Sequence, residues 1–178
     1  MTRLTYVPIE TERILAVDPL PRGFAFAVIE EEPFRLLDWG VATTPRKEPL
    51  GMLAALDRLI RRYDPSVLVT EDPQSARLLR RGSLAAFLEA TAEIVLAGSF
   101  PIATYSRRAI REAFAPAGAR TKLEIARVIA ERFPELRSRM PRSRRIWESE
   151  DARMSVFDAV SLAVTHLAAA GSRSPRDG

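Results

Sequence analysis

The feature that most constrains the fold is a short apolar run that ends in an acid. Ile14 to Val17 lead without interruption into Asp18, and such a run is typical of a strand covered on both faces. Pro19, Pro21 and Gly23 then turn the chain into a second apolar run. The pattern predicts a hairpin with a carboxylate at the end of a central strand. Because an isolated buried acid is costly, this side chain should face a cleft or a metal, unless it merely starts the turn.

Length and composition limit the class of protein. With 178 residues, of which 47% are hydrophobic, the chain can form one globular domain with a sizeable core. We expect no membrane span and no signal peptide, because no apolar run approaches roughly 20 residues and residues 1–12 are mixed in polarity. The absence of cysteine fits a cytoplasmic location. Since there is one histidine, a bound metal would need carboxylate ligands, which indicates magnesium or manganese.

Strand and helix patterns alternate along the chain. Three successive strands, at 13–18, 23–31 and 34–43, predict an antiparallel meander. Further strands at 67–71 and 101–105 follow helices, so the first of them is expected to run parallel to the first strand. Helices are predicted at 49–63, 83–97, 106–114, 121–133 and 151–170. The order indicates a single α/β domain over 13–170, preceded by an N-terminal extension (1–12) and followed by a flexible tail (171–178).

Two further acids occupy positions that match the first. Glu71 ends the fourth strand, and Asp158 lies in the apolar last helix. Asp151 is two helical turns earlier on the same face, with Glu150 beside it. Converging carboxylates repel one another unless a divalent cation neutralises them, and two such ions can activate water for phosphodiester hydrolysis. An ion pair with a nearby arginine is the alternative for Asp158.

The placement of these acids also indicates a fold. An acid on the first strand, one on the fourth strand and one in the C-terminal helix is the layout of the ribonuclease H-like fold. That fold is a mixed five-stranded sheet flanked by helices.

Basic residues are clustered, and arginine predominates over lysine. The net charge is only +4, so the distribution is more informative than the sum. Clusters of this kind suit phosphate contacts, although a solvated surface explains any one of them equally well. The candidates for nucleic-acid binding are Arg77, Arg80, Arg81, Arg107, Arg108, Arg111, Lys122, Arg142, Arg144 and Arg145.

Several segments resemble RuvC-type Holliday junction resolvases, and together they extend over most of the chain. They are Ile14-Leu-Ala-Val-Asp-Pro19, Val67-Leu-Val-Thr-Glu71, Tyr105 to Phe114 with Gly118 to Lys122, and Asp158 to His166. The resemblance implies that Asp18, Glu71 and Asp158 hold the metals, and that Lys122 neutralises a phosphate near the site. It also implies a homodimer, since a two-fold junction needs two paired cuts.

Three positions depart from the family pattern. Leu20 and Pro21 stand where the family usually has a glycine after the first Asp-Pro. Ser155 stands at the position of a fourth acid, which Asp151 or Glu150 could replace. The loop at 72–75 lacks the aromatic that meets bases at the junction centre. The fourth acid and the junction specificity therefore stay open.

These observations favour a metal-dependent, structure-selective endonuclease that hydrolyses phosphodiesters in branched DNA. Two alternatives remain at this point. One is an RNA-processing nuclease of the same fold, such as an enzyme that trims ribosomal RNA precursors. The other is a non-catalytic nucleic-acid-binding protein that has kept the fold.

Overall fold

The computed structural model describes residues 12–43, 49–74, 87, 91–93, 97, 101–141 and 153–171. Within them, five strands form one sheet in the order β3-β2-β1-β4-β5. The strands are β1 (Arg13–Leu20), β2 (Gly23–Glu30), β3 (Arg35–Thr43), β4 (Val67–Glu71) and β5 (Ile102–Tyr105). The α-helices are α1 (Pro49–Tyr63), α2 (Arg107–Phe114), α3 (Lys122–Arg132) and α4 (Met154–Gly171). Single 3-10 segments cover Ala115–Ala117 and Pro134–Arg139.

The sheet is mixed, as the sequence predicts. β1 pairs with β2 and β2 pairs with β3 in antiparallel fashion, which confirms the meander. β4 runs parallel to β1, with Val17 opposite Thr70. β5 runs parallel to β4, with Glu71 opposite Tyr105. The parallel pairs put the carboxyl ends of β1, β4 and β5 at one edge of the sheet.

β1 is longer than predicted. It continues two residues past Asp18, because Pro19 pairs with Phe24 and Leu20 pairs with Gly23 across the hairpin. The glycine adopts φ 136°, a left-handed value that allows the chain to re-enter the sheet after a two-residue turn. The prediction that Asp18 ends its strand is therefore wrong, and the acid lies inside the strand.

Alternate residues of the central strands supply two separate cores. On one face, Ile14 and Ala16 pack with residues of α2, α3 and α4. On the other face, Leu15 and Val17 pack with α1 and with Phe87. This is the period-two alternation of a strand buried on both sides. The sheet is thus a middle layer between α1 and the group α2, α3 and α4.

The last helix is the central element of one core. α4 has the length and apolar composition of a membrane span, but 61% of it is buried inside the domain, as in the core helix of a globular protein. It packs against β1 and β2 and also contacts α2 and α3. α4 starts at Met154, three residues later than the helix predicted from residue 151.

Parts of the sequence-based prediction lie outside the described residues. Phe87, 91–93 and 97 are helical, and the rest of the predicted helix over 83–97 is not described. The same holds for the proposed extension apart from residue 12 and for the proposed tail apart from residue 171, so those domain limits stay predictions.

Substitution at Gly23 tests the tight hairpin. A Cβ added there would lie 1.8 Å from the carbonyl oxygen of Ala42, at a φ that L-residues avoid. We expect Gly23→Ala to lower the free energy of unfolding by about 3 kcal/mol, because strain and a backbone clash add together. Urea denaturation measures this loss.

Gly118→Ala is the matched control. This glycine also has a positive φ, 74°, but an added Cβ would meet nothing within 4 Å. We expect a cost of only about 1 kcal/mol. Equal losses of unfolding free energy for the two variants would show that the positive φ alone determines the cost. β3 would then relax away from the added Cβ without a penalty.

Candidate functional site

Strand alternation turns two acids toward the same helix. Asp18 follows Ile14 and Ala16 in β1, and Glu71 follows Val67 and Val69 in β4; these four apolar residues belong to the core beneath α4. The strands are parallel neighbours, so the two acids lie at adjacent positions. Asp158 comes from the second turn of α4, which packs on β1.

The three carboxylates are buried. The relative exposure is 0% for Asp18, 1% for Glu71 and 5% for Asp158. Three buried negative charges at one place would repel strongly and would lose their hydration, so they need positive partners.

One guanidinium contacts all three acids. Arg107 is the first residue of α2, where Ser106 caps the helix by accepting a hydrogen bond from the Ala109 amide. Its Nη1 donates to Asp158 Oδ1 at 2.8 Å. Its Nη2 donates to Glu71 Oε2 at 3.1 Å and lies 3.8 Å from Asp18 Oδ1. The structure therefore brings Asp18, Glu71 and Asp158 together around Arg107; we call these four residues the carboxylate cluster.

A second cation binds the other carboxylate oxygen of Asp158. Lys122 is the first residue of α3, and a capping box between Thr121 and Glu124 fixes that helix start. Its Nζ donates to Asp158 Oδ2 at 2.8 Å. Each oxygen of Asp158 thus has its own cationic donor.

These contacts shift the pKa values of the charged groups. Burial alone would raise the pKa of Asp158, but the charges and hydrogen bonds of Arg107 and Lys122 outweigh it and lower that pKa below its ordinary value. For Arg107, burial opposes the charge, yet the three carboxylates raise its pKa above the ordinary value. Asp158 and Arg107 are therefore ionised together at neutral pH.

The cluster does not fit a divalent cation as it is arranged. Carboxylate oxygens are the ligands that magnesium and manganese prefer. Nevertheless, in the described ranges no group of three or more aspartate, glutamate, histidine or cysteine side chains is placed to hold an ion. The carboxylates are turned to Arg107 instead. The ion pair with a nearby arginine, the alternative for Asp158 in the sequence, describes the observed arrangement, while the metal-ligand roles stay predictions.

Other predicted residues are distributed differently. Arg108 and Arg111 lie exposed on α2, where Arg108 forms an exposed ion pair with Glu112. Ser155, at the position expected for a fourth acid, is buried at the start of α4. Those outside the described residues are Arg77, Arg80, Arg81, Arg142, Arg144, Arg145, Glu150 and Asp151.

The sequence did not single out Arg107 as a partner of the acids. Clustering in the sequence places it with Arg108 and Arg111 as a candidate for nucleic-acid binding. A signal was present, however, because Arg107 follows the end of β5 by two residues and the last residue of β5, Tyr105, pairs with Glu71. A side chain starting there lies near the carboxyl end of β4.

Asparagine substitutions separate the roles of two acids. We expect Asp158→Asn to lower the free energy of unfolding by about 2–4 kcal/mol, because the carboxylate charge that both Arg107 and Lys122 bind is removed from a buried site. Asp18→Asn should change stability little or raise it, since its contact with Arg107 is long, at 3.8 Å, and the substitution removes its repulsion from Glu71 and Asp158. Chemical denaturation of both variants measures the difference; equal losses would contradict this assignment.

The lowered pKa of Asp158 predicts a pH dependence. A folded pKa below the ordinary 3.8 means that the unfolded chain binds the proton more readily. The stability that Asp158 contributes is therefore present above that value and is lost as the pH falls through the folded pKa. The stability difference between the native chain and Asp158→Asn should shrink below about pH 4. A constant difference from pH 7 to pH 3 would contradict the ion pairs.

Comparisons with known proteins identify the fold. No protein-family model matches the chain, and no curated protein matches its sequence. Among solved structures, Thermus thermophilus RuvC in complex with a Holliday junction substrate matches with a TM-score of 0.69 at 18% identity, over 92% of this chain and 97% of that one. A structure of Thermus thermophilus RuvC alone gives 0.68 at 18% identity, over 90% and 96%.

A third match is the yeast mitochondrial Holliday junction resolvase Ydc2, with a TM-score of 0.56 at 14% identity, over 89% of this chain and 80% of that one. The matches extend over nearly the whole of the Thermus chains. The resemblance read from the sequence is thereby confirmed at the level of structure: the chain has the ribonuclease H-like fold of the RuvC-type Holliday junction resolvases.

Proposed function

We propose that this protein is a structure-selective endonuclease that hydrolyses phosphodiesters in branched DNA, as a Holliday junction resolvase does. One observation carries the proposal. On a fold that matches junction-bound RuvC over 92% of the chain, Asp18, Glu71 and Asp158 meet at one guanidinium. Buried acids from two parallel strands and a core helix are costly to keep together, and clusters of such perturbed charged groups are found at functional sites.

The exposed part of the site is cationic. The Arg107 side chain is 27% exposed and the Lys122 side chain 34%, while the acids beneath them are at most 7% exposed. An anion that approaches from solvent therefore meets these two cations first. Both can donate to phosphate oxygens, and the guanidinium can do so through two parallel bonds. Arg107 and Lys122 would hold the phosphate next to the carboxylates.

Further cations on α2 extend this surface. Arg108 has an 83% exposed side chain, and Arg111 lies exposed one turn beyond Arg107. Phosphates several ångströms from the cut site would contact them, which supplies affinity without sequence selectivity.

Three finer features belong to the same proposal. Cleavage depends on a divalent cation, magnesium or manganese, so a chelator should abolish it. The protein acts as a homodimer, because two symmetric cuts resolve a two-fold junction. It works in the cytoplasm.

A parallel cleavage assay tests the activity. Four-way junction, flap, duplex and RNA–DNA hybrid are offered side by side with manganese. We expect the junction to be cut in preference to the duplex, and Asp18→Asn to reduce cutting by orders of magnitude while junction affinity persists, because the acid is lost and the cations are not.

The other outcomes discriminate the alternatives. Cutting confined to the RNA–DNA hybrid would indicate an RNA-processing nuclease. Tight junction binding without cutting of any substrate would indicate a non-catalytic binding protein. Cutting that survives Asp18→Asn would contradict the catalytic role of Asp18.

The salt dependence of binding tests the surface on α2. We expect Arg108→Ala to flatten the slope of log affinity against log salt by about one unit, as loss of one phosphate contact does. Arg61→Ala is a matched control: Arg61 is 79% exposed and pairs with Asp57 four residues away, as Arg108 pairs with Glu112. It lies on α1, across the sheet from the cluster. Equal slopes for all three proteins would exclude α2 from the interface.

A further inference from the structure

We propose that Arg107 is a built-in competitor for the divalent cation, which keeps the carboxylate cluster closed to metal until a DNA phosphate draws the guanidinium away. The inference rests on the proposed function, since it assumes a phosphate substrate and a metal. It assigns to Arg107 a role that is separate from its effect on affinity: it couples metal loading to substrate binding.

The contacts of Arg107 carry the first step. It uses one oxygen from each acid, namely Asp158 Oδ1 at 2.8 Å, Glu71 Oε2 at 3.1 Å and Asp18 Oδ1 at 3.8 Å. A cation held by these three carboxylates would compete for oxygens that the guanidinium already contacts. Because both occupants are cations, they would also repel each other at short range. Arg107 and a metal ion therefore exclude one another.

The charge balance carries the second step. Among the described residues, two cations face the three acids of the cluster, namely Arg107 and Lys122. A divalent cation in place of Arg107 would add one positive charge beside the same three acids, with Lys122 retained. Lys122 need not move, because it binds Asp158 Oδ2, the oxygen that Arg107 does not use. Exchange of one cation for the other is thus electrostatically reasonable.

The exposure of Arg107 carries the third step. Its side chain is 27% exposed while all three acids are nearly covered, so the guanidinium has a route to solvent that the acids lack. A phosphate offers it the same bidentate, charge-assisted bonding that it leaves behind. DNA should therefore raise the affinity for metal, and by thermodynamic linkage metal should raise the affinity for DNA by the same factor.

Manganese binding to the full-length chain without DNA is the first test. It is measured by the electron paramagnetic resonance signal of free Mn²⁺, which needs no catalysis. We expect Arg107→Gln to bind Mn²⁺ more tightly than the native chain, within the roughly 5- to 150-fold range of coupled sites. Equal affinities of Arg107→Gln and the native chain would overturn the proposal.

Two control variants separate occupancy of the site from a general loss of positive charge. Lys122→Gln removes a cation that also binds Asp158 but not the oxygen used by Arg107, so its gain should be much smaller. Arg108→Gln removes the neighbouring charge, which pairs with Glu112, and should leave Mn²⁺ affinity unchanged. A gain for Lys122→Gln as large as that for Arg107→Gln would indicate only a long-range field and would overturn the exchange.

Thermal melting shows whether Arg107→Gln has a folding defect. Without metal, Arg107→Gln should melt at a lower temperature than the native chain, because its three acids lose the guanidinium that bridges them, and Mn²⁺ should restore much of the loss. Arg107→Lys keeps the charge but cannot bridge three carboxylates, so it should fold well and bind Mn²⁺ with intermediate affinity. If Arg107→Gln does not fold, native-like Mn²⁺ affinity in Arg107→Lys overturns the proposal.

Addition of junction DNA is the second test. At a salt concentration that permits binding, the DNA should raise the Mn²⁺ affinity of the native chain and should not raise that of Arg107→Gln. Equal effects on both proteins would overturn the coupling by phosphate. The nuclease proposal is judged separately: tighter Mn²⁺ binding by Arg107→Gln without cleavage of any substrate would reject the nuclease but keep the competition. Cleavage of a substrate, together with equal Mn²⁺ affinities of Arg107→Gln and the native chain, would keep the nuclease proposal and reject the competition.

Discussion

The structure depends on keeping three buried carboxylates at one point. Asp18 and Glu71 belong to neighbouring central strands of the sheet and Asp158 to the core helix, and all three side chains are buried. Their repulsion must be compensated in place. Arg107 and Lys122 do this, and each is the first residue of its helix. The cluster thereby connects β1, β4, α2, α3 and α4 through charge.

Helix capping determines where the two cations stand. Ser106 sets the start of α2, and the box formed by Thr121 and Glu124 sets the start of α3. A shift of either start by one residue would rotate the cation by about 100° around its helix, away from the acids. Local backbone hydrogen bonds, of modest strength individually, therefore control the electrostatics of the site. The fold match alone could not reveal this, since 18% identity describes the backbone and not its side chains.

Much of the fold and part of the site could be predicted from the sequence, because both depend on short, unbroken apolar runs that lead into an acid. The alternation in Ile14 to Asp18 and in Val67 to Glu71 places both acids on one face whatever the exact strand ends. The end of β1 was mispredicted, since it depends on the φ of Gly23 and on pairing across the hairpin. The position of Arg107 was missed for a different reason: residue type and clustering do not say which arginine of a group faces inward.

Arg107 and Arg108 illustrate why the sequence does not show which arginine of a cluster faces inward. They are adjacent and chemically identical, yet one guanidinium bridges three buried acids and the other is 83% exposed and pairs with Glu112. The two residues are one position apart, so their side chains leave the helix about 100° apart. A surface arginine can change affinity for a polyanion without touching the reacting atoms, whereas an interior one changes what the acids can bind. In a nucleic-acid enzyme of this fold, strength of binding and access of metal to the acids would then be set by neighbouring residues of one helix and could be altered independently.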